Sequence, residues 1–299
     1  MAGISDFLTP ESMRKLKSMV VRSRYVVEGS RAGLHASPMK GASVEFASHR
    51  EYVKGDNLRT LDWKVFGRTE RYYVKCFEEE TSLRTHVLID GSASMGFSSR
   101  GLPSKYEYAC RIAAALGYIV SMQQDALGLA IYDNEVRQQL PPKSGPRHLR
   151  LFSELLAAHH PGSRTNTGAA LHTLAESISR RGLIVLLSDL FDDPESLFSS
   201  IAHFRKKMHD VIVLQILDPC ELELSVDGIS EFVDMETGEK LEVDPTLARN
   251  SYKLELEKAI GFYREKCAAL NVEYRLVSTG EGFDGFLAQY LAERRRLSP

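Results

Sequence analysis

The sequence predicts an α/β protein, a doubly wound, mainly parallel sheet with helices on both faces, preceded by a small amino-terminal β-rich unit. Two observations predict this class. From residue 84 onward, short strand-like runs alternate with segments of helical periodicity, the order that builds βαβ units. One of those runs, LIVLLSDL, is continuously apolar, as a strand covered on both faces must be.

The elements follow in order. Thr9-Pro10-Glu11 reads as a helix start, with Met13, Leu16 and Val20 on one face. Between residues 24 and 84, SVEFAS and YYVKCFEEE read as short strands punctuated by Gly29, Gly33, Gly41 and Gly55, so a β-rich unit is expected over 1–83. Trp63, the only tryptophan, reads either as an exposed partner anchor or as a core residue holding this unit to the sheet that follows, and the core is expected because most tryptophan surface is buried. The second unit, 84–299, opens with a strand over 85–90, a buried helix over 104–123, a strand over 126–132 and an antiparallel edge strand over 136–140. Helices over 146–159 and 168–180, a strand over 182–189, a helix over 194–208 and a strand over 210–217 complete the alternation. Turn signals at Asp227-Gly228 and Thr237-Gly238 mark a β-hairpin insertion over 221–245. The chain then returns to a helix over 246–270, the strand VEYRLVS and a last helix, whose Arg294, Arg295 and Arg296 suit the negative end of its dipole.

The chemistry concentrates in VLIDGSASM. An apolar strand runs directly into Asp90, Ser92 and Ser94, and alternation in an extended segment sends positions two apart to one side. Gly91 and Ala93 allow a tight turn that keeps the backbone close to an ion. Carboxylate and hydroxyl oxygens suit a hard cation such as Mg²⁺ or Mn²⁺ and suit zinc poorly. A helix-capping serine at a strand end is the plainer alternative. Thr165-Asn166-Thr167-Gly168 places hydroxyls at a helix start, and the run ending in Ser188 and Asp189 brings oxygens to the same sheet edge. Ligands of open parallel sheets bind beyond the carboxyl ends of the strands, where strand order reverses.

These residues resemble the von Willebrand factor type A fold with its metal-ion-dependent adhesion site. The family pattern of DxSxS, a threonine on a second loop and an aspartate after a later strand implies a metal set of Asp90, Ser92, Ser94, Thr165 and Asp189, with Thr167 as the second choice of threonine. The chain departs from the family in carrying Asp189-Leu190 where Asp-Gly is frequent. A longer ordered pattern, Gly41, Glu45, Phe46, Arg50, Tyr52, Gly55, Asp56, Arg59, Asp62 and Trp63, resembles the bacterial family catalogued as domain of unknown function 58. That resemblance implies a partner of the MoxR-type AAA+ ATPases and a chaperone-like role in assembling or maturing other proteins. A client or the ATPase would offer a carboxylate to Mg²⁺ at the adhesion site.

Composition and motifs bound the alternatives. Over 299 residues, 43% are hydrophobic and 26% charged, within the globular range. No run approaches the roughly 20 apolar residues of a membrane span, and the first residues lack a signal-peptide pattern. Cys76, Cys110, Cys220 and Cys267 form no CxxC pair, so ordinary thiols in a reducing cytoplasm are expected. Residues 1–75 carry 14 Lys+Arg against 8 Asp+Glu, hence +6, and the remainder 24 against 32, hence −8. A phosphate- or nucleic-acid-binding surface of Arg22, Arg24, Arg50, Arg59, Arg68 and Arg71 is one reading of that excess. Pairing with the interleaved Glu45, Glu51, Asp56, Asp62 and Glu70 is the reading favoured here. A metal-dependent hydrolase is the enzymatic alternative, but there is no phosphate loop, HExxH, GxSxG or zinc-spaced Cys/His set. A binding module is therefore expected rather than an enzyme.

Overall fold

The computed structural model describes residues 3–17, 19, 21, 44–53, 61–79, 83–99, 101–162, 167–226, 228–235 and 238–297. Two compact units emerge, Met1–Arg24 together with Leu83–Pro299, and Tyr25–Ser82. The first helix, α1 (Pro10–Leu16), is capped by Thr9 Oγ1, which accepts from Ser12 N at 3.2 Å. Leu8 and Leu16 are buried in the core of the sheet unit, and Val21 is pinned to Gln123 by reciprocal hydrogen bonds of 2.8 and 3.1 Å. The described residues between 3 and 21 thus belong with the sheet, whereas the sequence reading placed them in the unit over 1–83.

The small unit pairs β1 (Val44–Glu51) antiparallel with β2 (Tyr73–Glu79), with a register shift between Phe46 and Ser48. Between them lies a helix that the sequence reading missed, α2 (Trp63–Thr69). Asp62 starts it, accepting from Lys64 N and Val65 N, and Glu70 ends it in the left-handed region at φ 54°. Trp63 is the first residue of this helix and is 63% exposed, so the expectation of a core tryptophan is corrected. Its ring lies edge-on to Phe66, with centroids 6.1 Å apart.

The large unit is built on β3 (Arg84–Asp90), α3 (Lys105–Met122), β4 (Ala126–Tyr132), β5 (Val136–Lys143), α4 (Pro146–Ala158), α5 (Thr167–Ser177), β6 (Leu183–Ser188), α6 (Pro194–Lys206) and β7 (Asp210–Leu217). It continues with α7 (Pro219–Glu223), the hairpin β8 (Ser230–Val233) and β9 (Lys240–Val243), α8 (Pro245–Ala269), β10 (Glu273–Ser278) and α9 (Phe283–Leu297). The start of the expected hairpin insertion is therefore helical, because Asp218 and Glu221 form a capping box around Pro219.

The sheet order is β10-β7-β6-β3-β4-β5, parallel throughout except for β5 against β4. Pro141 and Pro142 lie in β5, where an edge strand tolerates their missing N–H groups. Alternation divides the core cleanly. Val87, Ile89, Leu129, Ile131, Val185 and Leu187 face α1, α3, α4 and α9, while Leu88, Ala130, Ile184, Leu186 and Val213 face α5, α6 and α8. Each fully buried leucine or isoleucine contributes about 1.5–3 kcal/mol, which is why these strands carry few polar residues until their last position. This is the doubly wound arrangement that the alternating pattern predicts, and it is consistent with the type A-like fold that the resemblance implies.

Arg294 corrects a further expectation. It does not sit at an exposed helix end but is 2% exposed, paired with Asp210 at 2.5 Å and with Glu273 at the amino ends of β7 and β10.

Candidate metal centre

Chain order in the sheet reverses at β3. From there the chain runs outward through β4 and β5, then returns to the other side of β3 as β6. The carboxyl ends of β3 and β6 are neighbours, so Asp90 closes one strand beside Ser188 and Asp189 at the end of the other. Fold topology alone creates this crevice.

Within it, Asp90 is 1% exposed and Ser92 fully buried. Asp90 Oδ1 accepts from Ser92 N at 3.0 Å, which folds the DxSxS turn back on its own carboxylate. The Ser92 and Ser94 hydroxyls lie 3.0 Å apart. Ser188 Oγ donates to Asp90 Oδ2 at 2.7 Å and accepts from Leu190 N at 2.9 Å, bracing the two strand ends against each other. Gly91 is required by a close approach. A Cβ there would fall 2.3 Å from Nε2 of His159, whose ring packs on Tyr106 and faces Gly91 O at 3.4 Å. His159 follows α4 with an extended backbone, which sets its ring beside the DxSxS turn.

Asp189 is also buried. Its Oδ1 accepts from Phe191 N at 3.2 Å and its Oδ2 from Lys105 Nζ at 2.7 Å. Leu190, at the position where the family often has glycine, takes φ 61° and is held by Tyr263 OH donating to its carbonyl at 2.9 Å. The loop therefore keeps the left-handed turn that a glycine would favour, at a cost of about 1–2 kcal/mol.

Lys105 and Glu221 are parts of this centre that sequence reasoning missed. Lys105 opens α3 with no exposed surface, 2.7 Å from Asp189 and 2.6 Å from Glu221, with the Phe191 ring 4.9 Å below its ammonium. Burial opposes its charge, but the two carboxylates outweigh burial and raise its pKa. Asp90 has the opposite circumstance. Burial and the Asp189 charge push its carboxyl up to about 7, against the hydrogen bonds from Ser188 and Ser92. No cationic side chain among the described residues pairs with Asp90.

Thr165 lies outside the described residues. Thr167 is the first residue of α5, 1% exposed, and its Oγ1 has no hydrogen-bond partner among the described residues. Its N–H donates to Asp192 Oδ2 at 2.5 Å, tying the start of α5 to the loop after β6. Gly168 lets α5 and α6 meet, since a Cβ there would overlap Ser196.

The donor set fits a hard divalent cation. The Asp90 carboxylate and the Ser92, Ser94 and Ser188 hydroxyls stand together, Asp90 lacks a counter-charge, and the buried hydroxyls of Thr167 and Tyr132 have no hydrogen-bond partner among the described residues. Among the described residues there is no cluster of three or more His, Cys, Asp or Glu that could hold a metal ion.

The chain matches the family model described as protein of unknown function DUF58 over residues 48–259. This chain belongs to the DUF58 family. Its DUF58 relatives include proteins described as uncharacterized from Mycobacterium bovis and Mycobacterium tuberculosis, each 26% identical over 247 residues, which span 81% of this chain and 77% of the relative. Among solved structures, a conserved hypothetical protein BatB from Bacteroides thetaiotaomicron matches with a TM-score of 0.49 and 16% identity, covering 72% of this chain and 99% of that one. An aerotolerance-related membrane protein from Bacteroides fragilis matches with a TM-score of 0.48 and 18% identity, covering 71% and 97%. No helix among the described residues of this DUF58 protein is long and apolar enough to cross a membrane.

In the small unit Arg71 stands 4.0 Å from Glu51 and His49 Nε2 lies 2.9 Å from Asp62 Oδ2. Arg22, Arg24 and Arg59 lie outside the described residues.

Proposed function

We propose that this DUF58 protein is a metal-dependent protein–protein interaction module that captures a carboxylate of its partner at the β3–β6 edge. Asp90, Ser92 and Ser94 would hold Mg²⁺ or Mn²⁺, with Asp189 and a threonine of the 165–167 segment completing the protein's share. Thr165 is the choice implied by family resemblance, and the orphaned Thr167 hydroxyl is the alternative. The observation that carries this reading is Asp90, a buried carboxylate beside a second one and without a cation of its own.

A cation bound there would be only partly neutralised and would accept one more oxygen ligand, which a partner's Asp or Glu supplies. Binding and not catalysis is favoured because the Ser92 hydroxyl shares its hydrogen bond with Ser94 and not with a base that could activate it. Resemblance to the type A and DUF58 families supports a MoxR-type AAA+ ATPase, or a client that it remodels, as the partner, and assembly or maturation of other proteins in the cytoplasm as the setting.

Titration of the purified protein with Mn²⁺ and Mg²⁺ tests the site. Saturable binding that Asp90→Ala abolishes supports it; equal binding by both proteins removes Asp90 from any metal role.

A further inference from the structure

At the opposite end of the same sheet lies a second concavity, a cleft of about 360 Å³, within the size range of small-molecule sites. It exists for a reason of sequence. On the face that α5 covers, β4 presents Gly128 and Ala130, and α5 stops at Ser177, so small residues meet a missing helical turn. A Cβ on Gly128 would stand 3.1 Å from both His86 Nδ1 and Leu140 O, so the glycine lets β4 pack closely against His86 and β5 beside the cleft. Gln139 Nε2 donates to Ser177 Oγ at 3.2 Å and closes one side between β5 and the end of α5.

The lining divides by chemistry. Leu88, Ala130, Leu140, Pro141 and Ile178 make an apolar wall. Arg84, at the start of β3, and Arg180, after α5, bring two guanidiniums to the cleft, and none of the residues that line it is acidic. Neither arginine has an ion-pair or hydrogen-bond partner among the described residues. Partial burial and the nearby Arg180 charge lower the Arg84 pKa, so the two cations repel each other across the open cleft. Two unpartnered guanidiniums beside apolar surface form a fork suited to a carboxylate that carries hydrocarbon.

We infer that this cleft binds a small organic anion, its carboxylate between Arg84 and Arg180 and its apolar chain against Leu88, Ala130 and Pro141. Asp90 stands six residues further along β3 than Arg84, about 20 Å at strand rise, so the cleft is separate from the metal edge.

The test is titration of the full chain with hexanoate, read by calorimetry and by amide chemical shifts. Hexanol supplies the chain without the charge, and inorganic phosphate the charge without the chain. Saturable hexanoate binding that shifts Ala130 and Ile178, exceeds both controls and weakens at least tenfold in Arg180→Glu and Arg84→Gln is the expected result. Arg180 is exposed, so its replacement leaves the fold intact. Absence of saturable binding, equal affinity for either control, or unchanged affinity in Arg180→Glu would overturn the assignment. Asp90→Ala is expected to bind hexanoate as wild type does.

Discussion

Lys105 Nζ lies 2.7 Å from Asp189 Oδ2, and both side chains are essentially without solvent contact. The protein thus supplies its own cation to one of the two buried carboxylates at the β3–β6 edge and leaves the other, Asp90, uncompensated. That asymmetry leaves Asp90 as the carboxylate at this edge without a counter-charge among the described residues, the half of the site where the proposed metal would add most.

Lys105→Met should expose the asymmetry. It strands Asp189 and Glu221 as buried, unpaired carboxylates, and breaking such a pair from one side costs about 3–5 kcal/mol. Denaturant unfolding with and without Mg²⁺ checks this, the expected outcome being a large loss in chelator that Mg²⁺ partly restores. A variant as stable as wild type in chelator would show that the ion pair is not structural.

Asp90→Asn should do the reverse. The amide keeps the oxygen that accepts from Ser92 N while removing the charge that repels Asp189, so metal-free stability should rise by about 0.5–2 kcal/mol. Wild type at a metal concentration 100 times its dissociation constant should gain about 2.7 kcal/mol, and the variant nothing. Thermal melts with and without Mn²⁺ measure both effects.

The threonine ligand can be assigned by comparing Thr165→Ala with Thr167→Val in the same titration. Loss of affinity by tenfold or more should fall on one of them. If it is Thr167, removing its unsatisfied hydroxyl should also leave the metal-free protein at least as stable as wild type.

Acid should act through His86. Burial, the neighbouring His209 and Arg84 push its pKa down to about 4, from an ordinary 6.5. Above pH 6.5 it is neutral whether folded or unfolded and contributes no pH dependence. As pH falls from 6.5 towards 4 the unfolded chain takes up the proton first, so stability is lost by about 3 kcal/mol. His86→Gln should flatten that segment of the stability–pH curve. Taking the difference between the two proteins cancels the titration of Asp90, four residues along the same strand and far enough away to add independently.

Much of the fold was legible because its strands are buried on both faces. Runs such as LIVLLS and DVIVLQIL leave one reading for a chain that alternates them with helices. Asp90, Ser92, Ser94 and Asp189 were legible for a related reason, since a polar residue ending an apolar strand has no packing role to explain it. What was hidden depends on partners distant in sequence. Lys105 reads as an ordinary first-turn lysine until Asp189 and Glu221 are folded against it, 84 and 116 residues later. Arg294 sits in a triplet that the helix dipole already accounts for, and only the sheet reveals Asp210 and Glu273 beneath it. α2 escaped because seven residues with a central glycine carry little periodicity, and its start is set by the Asp62 cap. Trp63 misled because burial was inferred from residue type alone.

The most direct test of the proposed metal-dependent docking is the association of this protein with a MoxR-type ATPase, the partner proposed for it, measured by analytical ultracentrifugation in Mg²⁺ and in chelator, for wild type and Asp90→Ala. The expected result is a complex formed only by wild type and only with Mg²⁺. A complex that persists in chelator, or that Asp90→Ala forms equally well, would contradict a metal-held carboxylate as the basis of partner capture.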